Sequence, residues 1–491
     1  MKPSTALIFL LGAIIASGGV LFGLNRHVHA QKELGKIAAE RDTLLEQIKT
    51  LEGERMNSEI QGREVAANRL DAEKQAQYLE EQLNLLREEN ASLLQAVNRM
   101  KEKSEEIAAN PDDPEAGKAT HESLVKEVES IRGLEFKSEI KVEALPEEAL
   151  RDKAAELLQA EYGGQLDQMN RAWIAMGFIP PDTSLMEHLI DLRLFQEGEV
   201  YDPQAGTIFT QEGHDLEGTH GDQRVLNLVF ALQHQHFDLP KRLRDALPNE
   251  DKRNALTCLS KGDAALVRIN FQLRNLATDP APQTNTAPFY KAPAFLRDCA
   301  SFVYDEGVPL AQELHGQGGY EAISQRFQDG TLIATSQILD PSAKTGFETL
   351  ALPLVEGDPS PYYQNVAGEL GIVLFLGQFT SPAPAVEAGR GWTGDRYAAF
   401  PTEGGDSTFW EVSFASEDDA MQFAKALQTS QLTRYDIKFD KSFVDGDQFN
   451  VTGQKRALRI RYGADRKHVL AIDAPDADAA DALATRFFPK E

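Results

Sequence analysis

The sequence predicts an α+β protein: an N-terminal transmembrane helix and a long coiled coil, then a mainly helical domain with a C-terminal α/β-sandwich-like portion. Three observations predict it. Ala6 to Leu24 contains no charged residue, and residues 37–107 keep one heptad register. Beyond residue 131 helical and strand periodicities alternate, with a strongly apolar helix pattern at 224–239 and strand patterns after 391. The implied division is 1–30 anchor or signal peptide, 31–110 coiled coil, 111–130 linker, 131–390 main domain, and 391–491 a C-terminal portion of the same region.

Composition narrows the function. At 491 residues the chain exceeds one ordinary domain, and 42% apolar content suits a globular protein diluted by a polar segment. A net charge of −27 argues against nucleic acid, whose phosphates reward clustered Lys and Arg, and offers no general attraction to anionic lipid. Two cysteines, Cys258 and Cys299, exclude a disulfide-rich scaffold and a four-thiolate zinc site. They allow one disulfide if the domain is exported, or two buried thiols.

Ala6 to Leu24 approaches the roughly 20 residues that span a bilayer as a helix. A cleaved signal peptide is the alternative, because Val28-His29-Ala30 ends in small residues. The apolar run is longer than a signal core and Arg26 separates it from that site, which favours a single-pass anchor. Arg26, Lys32 and Lys36 outweigh Lys2 and would keep the C-terminal side inside. The short N-terminal tail, that of a signal-anchor, argues instead for an extracytoplasmic body in a cell envelope.

In the heptads, Leu44, Leu51, Leu79, Leu86 and Leu93 occupy d positions, and Asn90 is a lone Asn at a. This pattern favours a parallel homodimer with Asn90 setting register. Gly62 and Arg69 at a positions loosen the middle, and a single solvated helix is the alternative. A continuous rod would be on the order of 100 Å long, at about 1.5 Å per residue. Asn110-Pro-Asp-Asp-Pro114 ends it.

In the body, Pro146-Glu-Glu-Ala-Leu150 opens a helix with an acidic first turn. Gly316-Gln-Gly-Gly319 reads as a turn, since no strand-loop-helix context makes it a phosphate loop. Ser407 to Ala415 is strand-like and Glu417 to Leu427 helix-like. Ala457 to Tyr462 and His468 to Asp473 read as paired strands around Gly463-Ala-Asp-Arg466, and Asp476 to Phe487 as a closing helix. No nucleophile elbow is present, and Asp418-Asp419 reads as a helix start.

The helix pattern at 224–239 carries the most specific signal. Val225, Leu228, Val229 and Leu232 recur at helical spacing, and the run ends Ala231-Leu-Gln-His-Gln-His-Phe-Asp-Leu239. Lys261-Gly-Asp-Ala264 follows. These stretches resemble a gluzincin-type bacterial zinc-metallopeptidase-like family that carries H-E-L-x-H-A-L-Q-D-Q-H-F-D-L and then E-G-D-A. Met176-Gly-Phe-Ile-Pro-Pro181, Gly198-Glu-Val-Tyr-Asp-Pro203, Phe302-Val-Tyr-Asp-Glu-Gly-Val308 and Gly391-Trp-Thr-Gly-Asp-Arg-Tyr397 are similar to further elements of that family. The resemblance runs from about Ile131 almost to the end. It implies a metallopeptidase-like main domain, with Tyr201 and Asp202 on a strand or turn just before the cleft.

The same resemblance places Leu226 and Phe230 at the two His ligands, Asn227 at the general-base Glu, and Lys261 at the third ligand. Two His at i and i+4 grip Zn²⁺ from one helix face while the Glu activates its water. Leu and Phe have no lone pair to offer, Asn is no base at neutral pH, and a protonated Lys has no acceptor. The expectation is therefore a degenerate pseudo-peptidase that needs no cofactor and is not an enzyme. Its cleft would bind a protein or peptide segment, or the domain would serve as a scaffold. The alternatives are an active zinc metallohydrolase with non-standard ligands and a purely structural spacer. His234 and His236 fall on different helix faces, and nothing in the spacing of His214 and His220 asks for a metal.

Overall fold

The architecture is taken from a computed structural model, which describes residues 120–214, 218–275, 286–340, 347–352, 354, 360–453 and 455–488. All of these fall in one unit, 113–491. The expected coiled coil, with Asn90, lies outside the described residues. The expected transmembrane helix is corrected. Among the described residues no helix is long and apolar enough to cross a membrane, and the stretch 6–24 lies outside them. Single-pass membrane localisation, an extracytoplasmic body and a cell-envelope setting therefore lose their support.

The described residues open with α1 (His121–Arg132), which begins in the expected linker and runs past its end at 130, capped by a Thr120–Ser123 capping box and ended by Gly133 at φ 72°. Next come β1 (Lys141–Leu145), α2 (Glu147–Glu161), α3 (Leu166–Met176), α4 (Leu185–Glu197), β2 (Val200–Asp202) and β3 (Thr207–Gln211). The three strands form a sheet of order β1-β3-β2, in which β1 runs parallel and β2 antiparallel to β3. Tyr201 and Asp202 thus lie on a strand.

The apolar pattern at 224–239 becomes α5 (Gly218–Phe237), followed by α6 (Leu239–Asp245) and the long α7 (Glu250–Asn275). Val225, Leu226, Leu228, Val229 and Leu232 are all buried, in one cluster with Ile208 of β3 and Ala264 and Val267 of α7. Burying apolar side chains between two helices and a sheet is what holds α5 in place. Then come α8 (Ala287–Lys291), α9 (Ala294–Asp305), α10 (Gly307–Asp329) and α11 (Ser336–Leu339). The expected turn at Gly316–Gly319 is a kink inside α10, where Gly318 and Gly319 leave helical geometry.

The last part holds β4 (Tyr363–Asn365), α12 (Gly368–Gly377), α13 (Pro382–Gly389), β5 (Trp392–Thr402), β6 (Gly405–Phe414) and α14 (Glu417–Arg434). It closes with β7 (Val444–Asp445), β8 (Gln448–Thr452), β9 (Ala457–Tyr462), β10 (His468–Ala474) and α15 (Ala477–Phe487). Its strands pair antiparallel in the order β4-β5-β6-β10-β9-β8-β7. Alternation sends Tyr397, Ala399, Trp410 and Val412 into one core with α3 and α14, and Ala398, Phe400, Phe409 and Ile472 into another with α15. Because β4 pairs with β5, the sheet begins ahead of residue 391. The described fold is thus mixed α/β, with two sheets, and not a mainly helical domain followed by a sandwich.

Candidate functional site

Two helices carry the four positions that the resemblance singles out. Asn227 and Phe230 come from α5, Lys261 from α7, and Glu197 from the end of α4. The Lys261 ammonium is ion-paired to Glu197 and lies 4.4 Å from the centre of the Phe230 ring and 5.9 Å from that of Tyr304. Asn227 Nδ2 donates to the Gln223 carbonyl at 3.0 Å and to the Glu197 carbonyl at 3.4 Å. Its Oδ1 is buried without a partner. Leu226 does not line the cavity beside them: it is fully buried in the cluster with Ile208 and Ala264, against which Phe230 also packs.

The pair continues into a chain of charges. Arg193 Nε lies 3.4 Å from Glu197 Oε2, and Arg193 Nη1 donates to Glu161 Oε1 at 2.9 Å. Arg253 Nη2 donates to Glu161 Oε2 at 3.4 Å, and Arg253 Nε lies 3.7 Å from Glu250 Oε1. Burial disfavours the Lys261 ammonium, but Glu197 and Tyr304 outweigh it and hold its pKa above the ordinary lysine value. Burial pushes the Glu161 carboxyl up, yet Arg193 and Arg253 together hold it below the usual carboxylate range. Glu250, at the end of the chain, is raised by burial, which Arg253 and Tyr162 only partly oppose.

These charges line one side of a cavity of about 290 Å³. Trp173, Phe178, Leu192, Phe295, Leu296 and Tyr397 form much of the rest. Phe178 stacks on Phe295 at 4.8 Å and Trp173 meets Phe295 edge-on at 5.3 Å, so the apolar wall is firmly packed. Phe230 and Lys261 belong to the lining.

A zinc ion does not fit the substituted positions. They offer one neutral amide oxygen and an ammonium, whereas zinc takes several deprotonated thiolate, imidazole or carboxylate donors. Among the described residues no group of three or more His, Cys, Asp or Glu is placed to hold a metal. His234 Nδ1 meets the Tyr201 hydroxyl at 2.9 Å and His236 Nε2 the Glu135 carbonyl at 2.8 Å. The His220 side chain lies outside the described ones. Cys258 and Cys299 are both free thiols, so the bridge the sequence allows is not formed. Cys299 lines the cavity, and Cys258 is fully buried.

The residues that carry the resemblance have structural work. Gln233 Nε2 donates to Asp263 Oδ2 at 2.9 Å and to the Ser260 carbonyl at 3.1 Å. Asp263 is fully buried and pairs with Arg132 at 2.8 Å, and Arg132 Nη1 reaches Ser324 Oγ at 3.1 Å. The Gly262 backbone touches that of Gly307: a Cβ on Gly262 would lie 1.9 Å from the Gly307 carbonyl oxygen. Asp395 of the Gly391–Tyr397 element accepts from the Ala367 and Gly368 amides and from the indoles of Trp392 and Trp410, at 2.9–3.1 Å.

Residues 360–484 match the profile of a family described as "Domain of unknown function (DUF8575)". The match covers the seven-stranded sheet up to most of α15, and touches the cavity only where Val366, Ala367, Gly371 and Tyr397 line it. No curated protein and no solved structure matches the chain.

The sequence did not single out Glu197, Arg193, Glu161, Arg253 or Glu250. A signal was present, since Arg193/Glu197 and Glu250/Arg253 stand at i,i+4 and i,i+3 on helices. Such spacing usually marks a solvated face, and only the packing of α2, α4 and α7 turns it inward.

Proposed function

We propose that this chain is a binding protein with a zinc-peptidase-like frame, in which a salt-bridged wall stands in place of the metal centre. It holds a ligand in the adjoining cavity without turning it over. The observation that carries this reading is the Lys261 ammonium, paired to Glu197 and lying over Phe230. Lys261 is held by Glu197 and Phe230, Asn227 bonds the backbone through Nδ2, and none of the four positions carries a base that could activate water. A cleft that keeps apolar walls and convergent polar groups is the usual form of a ligand site. The heptad register at 37–107 adds a homodimer to the proposal.

The test is peptide turnover and ligand-induced stabilisation of the purified full chain. A mixture of peptides should survive prolonged incubation with added zinc, as read by mass spectrometry. Ligands of the cavity should raise the melting temperature of the wild type and not of Leu192→Trp, which fills the cavity. Chelator-sensitive cleavage of any peptide would overturn the reading.

A further inference from the structure

Nine charged side chains line the cavity, and five of them are carboxylates. Eight are engaged with one another or with Lys153. Lys261 is paired to Glu197, and Arg193 bridges Glu197 and Glu161. Arg253 donates to Glu161 and stands 3.7 Å from Glu250. Lys153, outside the lining, pairs with Glu156 at 2.8 Å and lies 3.5 Å from Asp202. The ninth, Arg244, is exposed to solvent, where an ion pair gains little. A ligand with a charge of its own would therefore give up its hydration for a wall whose counterions are already taken. An anion is disfavoured further, because carboxylates outnumber cations along that wall.

The uncharged groups are what remains for a ligand. Trp173, Phe178, Leu192, Phe295 and Leu296 call for an apolar body. On α7, Glu250, Asn254, Thr257 and Lys261 recur at helical spacing and all line the cavity. The Thr257 hydroxyl is spent on the Arg253 carbonyl at 2.9 Å. Asn254 is half-buried, and among the described residues its side-chain amide makes no hydrogen bond. Between the charged ends of that helix face there is thus one neutral donor and acceptor with bonds still to make. The volume, about 290 Å³, sits at the low end of the roughly 300–1,000 Å³ typical of small-molecule sites. That suits one small molecule better than a peptide segment.

We propose that the cavity binds an uncharged, mainly hydrocarbon molecule with a single neutral oxygen, an alcohol or ketone, that oxygen at Asn254 and the hydrocarbon on the aromatic wall. The salt-bridged side chains hold the shape of the site and exclude ions from it. This rests on the reading of the cavity as the binding site and narrows its ligand from a peptide segment to a small neutral molecule.

The test uses the full chain, with calorimetry and thermal melting against 1-octanol, octanoate and octylamine, which share a hydrocarbon body and differ in charge. The expected result is saturable binding of octanol at one per chain with a raised melting temperature. Both ions should bind at least about tenfold more weakly, because neither finds a free counterion in the cavity. Asn254→Leu, checked for native circular dichroism, should weaken octanol about threefold or more, the worth of one neutral hydrogen bond. Leu192→Trp should abolish its binding. The three compounds on wild-type protein decide the matter even if a variant does not fold. Equal or tighter binding of octanoate or octylamine would overturn the proposal. Octanol bound as tightly by Asn254→Leu as by wild type would overturn the place given to its oxygen. If none of the three binds while peptides raise the melting temperature of the wild type and not of Leu192→Trp, the neutral-ligand assignment falls and the cavity reading stands. If neither the three compounds nor peptides bind, both fall.

Discussion

Replacing Lys261 with Met tests whether the wall beside the cavity holds together through charge. The Lys261 side chain is 14% exposed and its partner Glu197 6%. Removing one member of a buried pair costs about 3–5 kcal/mol, because the other charge stays behind unmatched. Arg193 remains 3.4 Å from Glu197 and carries part of that burden, which puts the cost at the low end, about 3 kcal/mol. Losing the ammonium over Phe230 adds about 1 kcal/mol, and the Met side chain returns a similar amount by keeping the apolar contact with that ring. The net expectation is about 3 kcal/mol of destabilisation. Pairing the change with Glu197→Gln removes the orphaned charge, so the double variant should lie within about 1 kcal/mol of wild type. Urea unfolding with a full double-variant cycle measures this, provided the slope stays constant across the four proteins. A coupling of at least about 2 kcal/mol is expected. A single variant within about 0.5 kcal/mol of wild type, or purely additive effects, would refute the reasoning.

Gly262→Ala drives a methyl into the Gly307 carbonyl, so α7 and α10 must separate. Overpacking of this kind costs about 1–3 kcal/mol, and a melting temperature equal to wild type would show that the helices yield freely. Burial pushes the Asp251 carboxyl up to about 8, with Asp395 and Glu369 adding to the shift and the Thr335 hydroxyl and amide opposing it. The folded state therefore keeps a proton that the unfolded chain releases near pH 3.9. The stability this contributes is complete below that value and is lost as pH rises through about 8. Melting temperature should fall between pH 6 and pH 8.5, and Asp251→Asn should flatten the fall by at least about 2 °C; an unchanged profile would remove Asp251 as its source. The full chain should sediment as a dimer, and Asn90→Leu should broaden its oligomer distribution; a monomer at micromolar concentration would rule out the coiled-coil dimer.

The sequence was most legible where one physical pattern dominated. Helical recurrence of Val225, Leu228, Val229 and Leu232 located α5, because a helix buried against a sheet must repeat its apolar face. The alternation at 407–415 and 457–473 located β6, β9 and β10, whose two faces enter different cores. The juxtaposition of Phe230 and Lys261 was also foreseeable, once Lys261-Gly-Asp-Ala264 was placed on the helix facing α5. Glu197 was not, because it lies 64 positions from Lys261 and no local spacing announces the contact. The burial of Leu226 in the core that Phe230 packs against was foreseeable from their shared helix face, but not that Phe230 alone of the two would line the cavity. The mixed α/β character escaped too, since β1 is largely exposed and β2 only three residues long, too little for alternation to register.

Elemental analysis of the purified, unchelated full chain, made beside an assay of peptide hydrolysis, bears most directly on the central claim. If a Lys261–Glu197 pair stands where a metal centre would be, zinc should be far below one per chain, and adding it should change neither melting temperature nor activity. One tightly held zinc per chain, lost on chelation together with a hydrolytic activity, would contradict the account.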